Sequence, residues 1–152
     1  MYTRYFLMKS EPSEFSITDL EKKGESLWDG IRNYQVRNLI RDVMKAGDKA
    51  LFYHSSCKEV GVVGEMEIVG KAVPDPAQFD PESHYYDPKS PRDNPRWLAP
   101  KVRHVATWGR VVSLAELRAE PKLQNLTILK AGNRLSITEM TKNEYDVIKN
   151  LL

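Results

Sequence analysis

A chain with one cysteine, Cys57, can form no internal disulfide. That suits a reducing compartment. Long apolar runs are missing as well. No stretch approaches the roughly 20 apolar residues that a membrane-spanning helix needs. The apolar patch Tyr5-Phe6-Leu7-Met8 is too short for the core of a signal peptide, and no small-residue cleavage site follows it. The expected location is therefore cytoplasmic, with no membrane partner.

The phosphate-binding glycine motifs are also absent. Neither G-x-x-x-x-G-K-[ST] nor G-x-G-x-x-G occurs, which argues against ATP- or NAD-dependent chemistry. Histidine is scarce. His54, His84 and His104 are scattered, and with Cys57 they give no metal-ligand spacing. No metal and no cofactor is expected. There is no internal repeat, low-complexity tract or flexible linker.

Catalytic constellations are equally thin. His54 and Cys57 bring a base and a thiol close in sequence. Cys–His catalysis needs a depressed thiol pKa and an orienting third group, and nothing supplies one. Glu11, Asp29 and Asp48 are carboxylates with no fixed mutual spacing. No catalytic residue is assigned.

What is present describes an ordinary folded domain. Its 152 residues are 41% hydrophobic and 29% charged, with three Trp, seven Tyr and four Phe. One domain spanning 1–152 is the simplest organisation. A chain of this size buries roughly 70% of the surface its unfolded form exposes, enough for a core without staples.

The net charge of +2 is small but unevenly spread. Trp28 to Lys45 carries four basic and two acidic residues, and Tyr85 to His104 carries five basic and two acidic. The remainder is net acidic. If the two segments fold side by side they form a basic patch suited to phosphate. If they do not, they are two separate solvated faces.

Tyr5 to Lys9 reads as a strand halted by Pro12. Ser16 caps a short helix that Gly24 ends, and Asn33 caps a second. In that second helix Val36, Leu39, Ile40, Val43 and Met44 fall at helical spacing, with Arg37, Arg41 and Lys45 on the other side. Lys49 to His54 reads as a strand with Leu51 and Tyr53 on one face. Gly61 to Val73 reads as a long strand whose glycines suggest bends.

Pro74 to Pro100 holds seven prolines. It is too long for an ordinary connection, and Phe79, Tyr85, Tyr86 and Trp97 argue that it is ordered. Val102 to Val112 returns to strand character, and Leu135 to Thr138 reads as the last strand. Ser113…Glu116 and Thr141…Glu144 are capping boxes opening two more helices. The expected fold class is α+β, a twisted, partly closed β-barrel with short peripheral helices.

One segment fits neither a helix period nor strand alternation: Trp28-Asp29-Gly30-Ile31-Arg32-Asn33-Tyr34. Two aromatics, two opposite charges, an amide and a glycine in a loop opening a helix can hold a flat polar ligand. Bases are held by stacking on aromatic faces and by hydrogen bonds to their edges. Trp28, Tyr34, Tyr53 and Trp97 are stacking candidates, and each Trp is alternatively a core residue. Ser10, Asp29, Asn33 and Ser55 can read donors and acceptors. Lys9, Arg32 and Arg96 can meet phosphate.

These residues also carry a resemblance. The chain resembles the EVE domain family, which has a PUA-like fold, at Tyr5-Phe6-Leu7-Met8-Lys9-Ser10-Glu11-Pro12, Phe15-Ser16-Ile17, and Trp28 through Tyr34. The likeness continues at Phe52-Tyr53-His54-Ser55, Gly61-Val62-Val63-Gly64, Gln78-Phe79-Asp80-Pro81, Tyr85 through Ser90, Asn94-Pro95-Arg96-Trp97 and Arg134-Leu135-Ser136-Ile137. The basic N-terminal tail of eukaryotic nuclear members does not precede it, so a bacterial-type single domain is expected.

The resemblance implies a PUA-like barrel with a pocket for a flipped modified base, modified cytosine in DNA being favoured. Loop chemistry and resemblance together give a base-binding set of Lys9, Ser10, Trp28, Asp29, Ile31, Arg32, Asn33, Tyr53, His54, Ser55 and Trp97. Lys89, Arg92 and Arg96 are expected to face phosphate. The first reading is a monomeric, non-catalytic reader of a modified base, with an effector protein unassigned. The second is an RNA-binding PUA-like module acting in tRNA or rRNA modification. The third is a small nucleotide-acting enzyme using Cys57, Glu11 or Asp29.

Overall fold

Strand alternation and helix capping organise the chain, and the computed structural model describes residues 2–152. In chain order the elements are β1 (Tyr5–Ser10), α1 (Ile17–Lys23), β2 (Glu25–Leu27), α2 (Tyr34–Asp42), β3 (Lys49–His54), β4 (Gly61–Ile68), β5 (Val73–Pro74), β6 (Leu98–Ala99), β7 (Lys101–Ser113), α3 (Leu114–Ala119), β8 (Ile137–Met140) and α4 (Lys142–Leu151). No described helix is long and apolar enough to cross a membrane.

Six strands form one mixed sheet in the order β2-β7-β4-β3-β1-β8, which curls into a half-barrel. β1 and β3 run parallel, and the other neighbours are antiparallel. β5 and β6 make a separate two-stranded ribbon.

Both faces of the sheet are covered, so β1 and β3 read as continuous apolar runs rather than alternating ones. Phe6, Met8, Ala50 and Phe52 face one core with Ile17, Leu20, Val36 and Ile40 of α1 and α2. Leu7, Leu51 and Tyr53 face the other, with Leu117, Tyr145 and Ile148 of α3 and α4. In that second core Glu65 accepts from Trp108 Nε1 at 2.8 Å and lies 3.1 Å from Lys149 Nζ, tying β4 to β7 and α4.

The β4–β7 ladder shifts register on both sides of Gly64. A side chain at Gly64 would meet Ile17 Cδ1 at 2.8 Å. The bare backbone there lets α1 close on the sheet.

Capping follows the sequence expectation. Ser16, Ser113 and Thr141 each form a complete capping box, and Asn33 Oδ1 accepts from Val36 N at 3.0 Å. Two strands differ. The strand expected to reach Val73 ends at Ile68, because its partner β7 begins at Lys101 and Ile68 opposite Val102 is the final pair. The last strand runs from Ile137 to Met140, two residues later than its pattern suggests. Asn133 holds the preceding segment in a turn, accepting from Leu135 N at 2.9 Å and donating to Thr127 O at 2.9 Å.

The proline-rich segment is ordered by a polar hub. Gln78, fully buried, donates through Nε2 to Asp75 O and Trp97 O, both at 2.8 Å. Its Oε1 accepts from Ser90 Oγ at 2.6 Å and Trp97 N at 3.1 Å. One amide thus pins three points of a loop that has little regular structure.

Candidate functional site

A cavity of about 550 Å³ opens where the C-terminal ends of β1 and β3 meet the loop after β2. That size lies in the ~300–1,000 Å³ range of small-molecule sites. Six of the expected residues line it: Lys9, Ser10, Trp28, Asp29, Ile31 and Ser55. Phe15, Lys23, Tyr85, Arg134 and Ser136 join them, with Glu11 and Glu14.

Trp28 is both wall and core. It is 6% exposed, and its ring packs edge-on against Phe52 at 5.1 Å and Phe15 at 6.2 Å. Its amide donates to Pro100 O at 2.7 Å, which fixes the indole's height in the cavity. Trp28 therefore belongs to the core and still presents a surface to the cavity.

Six charged groups line the cavity, Lys9, Glu11, Glu14, Lys23, Asp29 and Arg134, and none is ion-paired with another described residue. Asp29 and Lys9 are the two whose protonation burial shifts. Burial first, and the nearby charge of Asp75 second, push the Asp29 carboxyl up from its ordinary value. No other described residue donates a hydrogen bond to that carboxyl. Burial also pushes the Lys9 ammonium down. Lys9 stands opposite Tyr53 in the β1–β3 register, with its Nζ 5.9 Å from the centre of that ring on the second-core side of the sheet, and pairs with no described carboxylate. A carboxyl and an ammonium shifted by burial at one cleft make it the candidate site.

Hydroxyls complete the polar lining. Ser10 Oγ donates to Phe15 O at 2.7 Å and keeps acceptor capacity. Ser55 N donates to Ser10 O at 3.0 Å, leaving its hydroxyl for the cavity.

Five expected base-binding residues do not line this cavity. Arg32 is committed to structure. Its Nη1 donates to the fully buried Asp75 at 2.9 Å, and its Nε and Nη2 donate to Tyr85 O at 3.0 and 2.6 Å. Asn33 spends its side-chain oxygen on the α2 cap. Tyr53 lies in the core on the opposite face of the sheet. His54 Nε2 accepts from Ile17 N at 3.1 Å, and burial pushes its pKa down, which keeps it a neutral acceptor. Trp97 stacks on Tyr34 at 4.7 Å and donates from Nε1 to Asp87 at 2.7 Å.

The residues expected to face phosphate are likewise elsewhere. Arg92 lies over the Phe79 ring at 4.7 Å, Lys89 is exposed on the loop, and Arg96 lines a different cavity.

Tyr85 and Asp75 went unassigned in the sequence, although both hold the site together. The Tyr85 ring covers Gly30, and its hydroxyl donates to Glu14 at 3.1 Å. Asp75 accepts from Gly30 N at 2.8 Å as well as from Arg32. Tyr85 stands in a matched motif, which is the signal that could have marked it. Asp75 between two prolines carries no such signal.

Among the described residues no His, Cys, Asp or Glu cluster is arranged to hold a metal. Cys57 Sγ contacts Glu59 O at 3.5 Å and makes no hydrogen bond to His54.

Comparison with known proteins places this geometry in a family. Human thymocyte nuclear protein 1 is 41% identical over 165 residues, covering 97% of this chain and 73% of the human protein. The crystal structure of that human protein in complex with 5-methylcytosine-containing DNA superposes with TM-score 0.90 at 40% identity, covering 98% of this chain and 97% of that one. A Pseudomonas syringae protein of known crystal structure reaches TM-score 0.93 at 44% identity, over 97% of this chain and 98% of its own.

The YTH domain of a Zygosaccharomyces rouxii protein, solved with N6-methyladenosine RNA, matches at TM-score 0.56 over 99% of this chain and 86% of its own. At 18% identity it shows a shared PUA-like fold alone. None of these relatives carries an enzymatic name. The EVE domain model matches residues 4–151, so the chain belongs to the EVE domain family.

Proposed function

We propose that this chain is a non-catalytic reader that holds a flipped, modified base of a nucleic acid, with modified cytosine in DNA the favoured ligand. The observation that carries this reading is a cavity walled by Trp28 in which the Asp29 carboxyl accepts no hydrogen bond from another described residue, with Lys9, Ser10 and Ser55 also lining it.

Cytosine offers an N4 amino donor beside acceptors on the same edge. The Asp29 carboxylate accepts from N4, Lys9 donates to a ring acceptor, and Ser55 serves either way. Trp28 and Phe15 supply the apolar surface. Unstacking a base costs a few kcal/mol. Stacking contributes about 1–3 kcal/mol per base and offsets that cost. A substituent on the base then adds discrimination rather than most of the affinity. The DNA complex of the human relative supports this choice.

The same reading has the protein act in the cytoplasm as a monomer. The single cysteine, Cys57, agrees with a reducing compartment.

The test is a titration of matched DNA and RNA strands carrying 5-methylcytosine, N6-methyladenine or no modification, at one stated salt concentration. The expected result is tightest binding to methylated cytosine in DNA. Equal affinity for every strand rejects base reading, and preference for methylated RNA moves the ligand class to RNA.

A further inference from the structure

A second cavity of about 690 Å³ lies along α2, outside the base site. Arg37, Arg41, Lys45, Lys71 and Arg96 line it, and no acidic residue does. Its floor is apolar, built from Ile40, Met44 and Leu98. The two basic stretches of the sequence meet here. Arg37 Nη1 donates to Arg96 O at 3.0 Å, joining α2 to the proline-rich loop.

These cations differ in how far neighbours already satisfy them. Lys45 is paired with buried Asp48 at 2.6 Å, and Arg41 with exposed Asp42 at 2.8 Å. Arg37 and Lys71 pair with no described carboxylate. Arg37 is also held in place: its Nε donates to Asn38 Oδ1 at 3.0 Å and its guanidinium lies 4.9 Å from the Tyr34 ring centre. Its Nη2 has no described protein partner. A fixed guanidinium with free donors suits phosphate oxygens.

We propose that this groove takes the sugar–phosphate backbone of the strand whose base enters the cavity at Trp28. The proposal rests on the base-reading function above. Two features favour a strand. Arg37 and Arg41 stand one helical turn apart, about 6 Å along the axis, so the charge forms a row rather than a point. The loop from Trp28 to Asn33 leads from the first cavity straight into α2, whose exposed face borders the second. The apolar floor accommodates sugar faces between phosphates.

The test compares wild type with a Lys71→Ala, Arg41→Ala double variant, both sites being exposed. The probes are a duplex with one 5-methylcytosine, the unmethylated duplex and free 5-methyldeoxycytidine, each titrated across salt. A Lys71→Ala, Arg37→Gln variant repeats the measurement at the fixed guanidinium. Each variant removes two cations that meet phosphate. The salt slope for duplex then falls by about 2, and affinity at about 0.1 M salt falls on the order of tenfold or more. Binding of the free nucleoside is unchanged, because it occupies the first cavity alone.

Wild-type slope and affinity in both variants overturn the proposal and leave the groove to another acidic partner. A reduced slope without preference for the methylated duplex rejects base reading and keeps the groove. A wild-type protein that binds no duplex overturns both.

Discussion

Arg32 Nη1 and Asp75 Oδ2 lie 2.9 Å apart, and the Asp75 side chain is wholly buried. The same Asp75 oxygen accepts from Gly30 N at 2.8 Å, while its other oxygen accepts from Ala77 N at 2.8 Å. One ion pair therefore joins the loop carrying Trp28 and Asp29 to the proline-rich segment carrying Tyr85. It sets the distance between two walls of the cavity.

Removing one partner of a buried pair strands the other. Arg32→Ala is expected to cost about 3 kcal/mol in urea unfolding, the lower end for such pairs because Asp75 keeps two amide donors. Arg32→Lys keeps the charge but loses the fork on Tyr85 O, so an intermediate loss is expected. Wild-type stability in Arg32→Ala contradicts a structural role and restores Arg32 as a free cation.

Gly30 has φ +84°, and a side chain there would sit 2.9 Å from Tyr85 Cε2 and Cζ. Gly30→Ala thus meets backbone strain and a clash together, a cost on the order of 1–3 kcal/mol. Adding Tyr85→Ala relieves only the clash. Thermal melts of the two single variants and the double variant should show positive coupling, and strict additivity argues against the contact.

The His54 imidazole accepts from Ile17 N, and burial holds its pKa below 6.5. The unfolded state therefore binds the proton more readily than the folded one. This contribution is full above pH 6.5 and is lost as pH falls through the depressed folded value. Denaturation midpoints should decline in that window, and His54→Gln should flatten the decline while lowering stability at neutral pH. An unchanged pH slope in His54→Gln assigns the acid sensitivity to other groups.

Much of this arrangement follows from local rules in the sequence. Ser16, Asn33, Ser113 and Thr141 cap helices because short-range geometry alone decides a cap. Leu51 and Tyr53 share a face by strand alternation, and that same alternation removes Tyr53 from the face Phe52 shares with Trp28. The destinations of Arg32 and Trp97 depend on Asp75 and Asp87, partners whose placement comes from the fold of a long irregular loop. No local pattern encodes such a pairing. β2, three residues long, is likewise defined by its β7 partner rather than by its own composition.

The proposed base reading gives binding a pH signature through Asp29. Its carboxyl pKa is raised, chiefly by burial, so it protonates at higher pH than an ordinary aspartate. A ligand amine needs the carboxylate form as acceptor. Affinity for methylated duplex is expected to weaken as pH falls through the raised value, and Asp29→Asn should lack that dependence. Parallel pH profiles in the two proteins remove Asp29 from ligand contact.

Base reading requires a base drawn out of its helix into the Trp28 cavity. A crystal structure of the chain with a duplex bearing one 5-methylcytosine tests it most directly. The methylated base should be extruded and packed beside Trp28, with N4 about 2.7–3.2 Å from an Asp29 oxygen. A methylated base still stacked in the duplex, or lodged in another cavity, contradicts it.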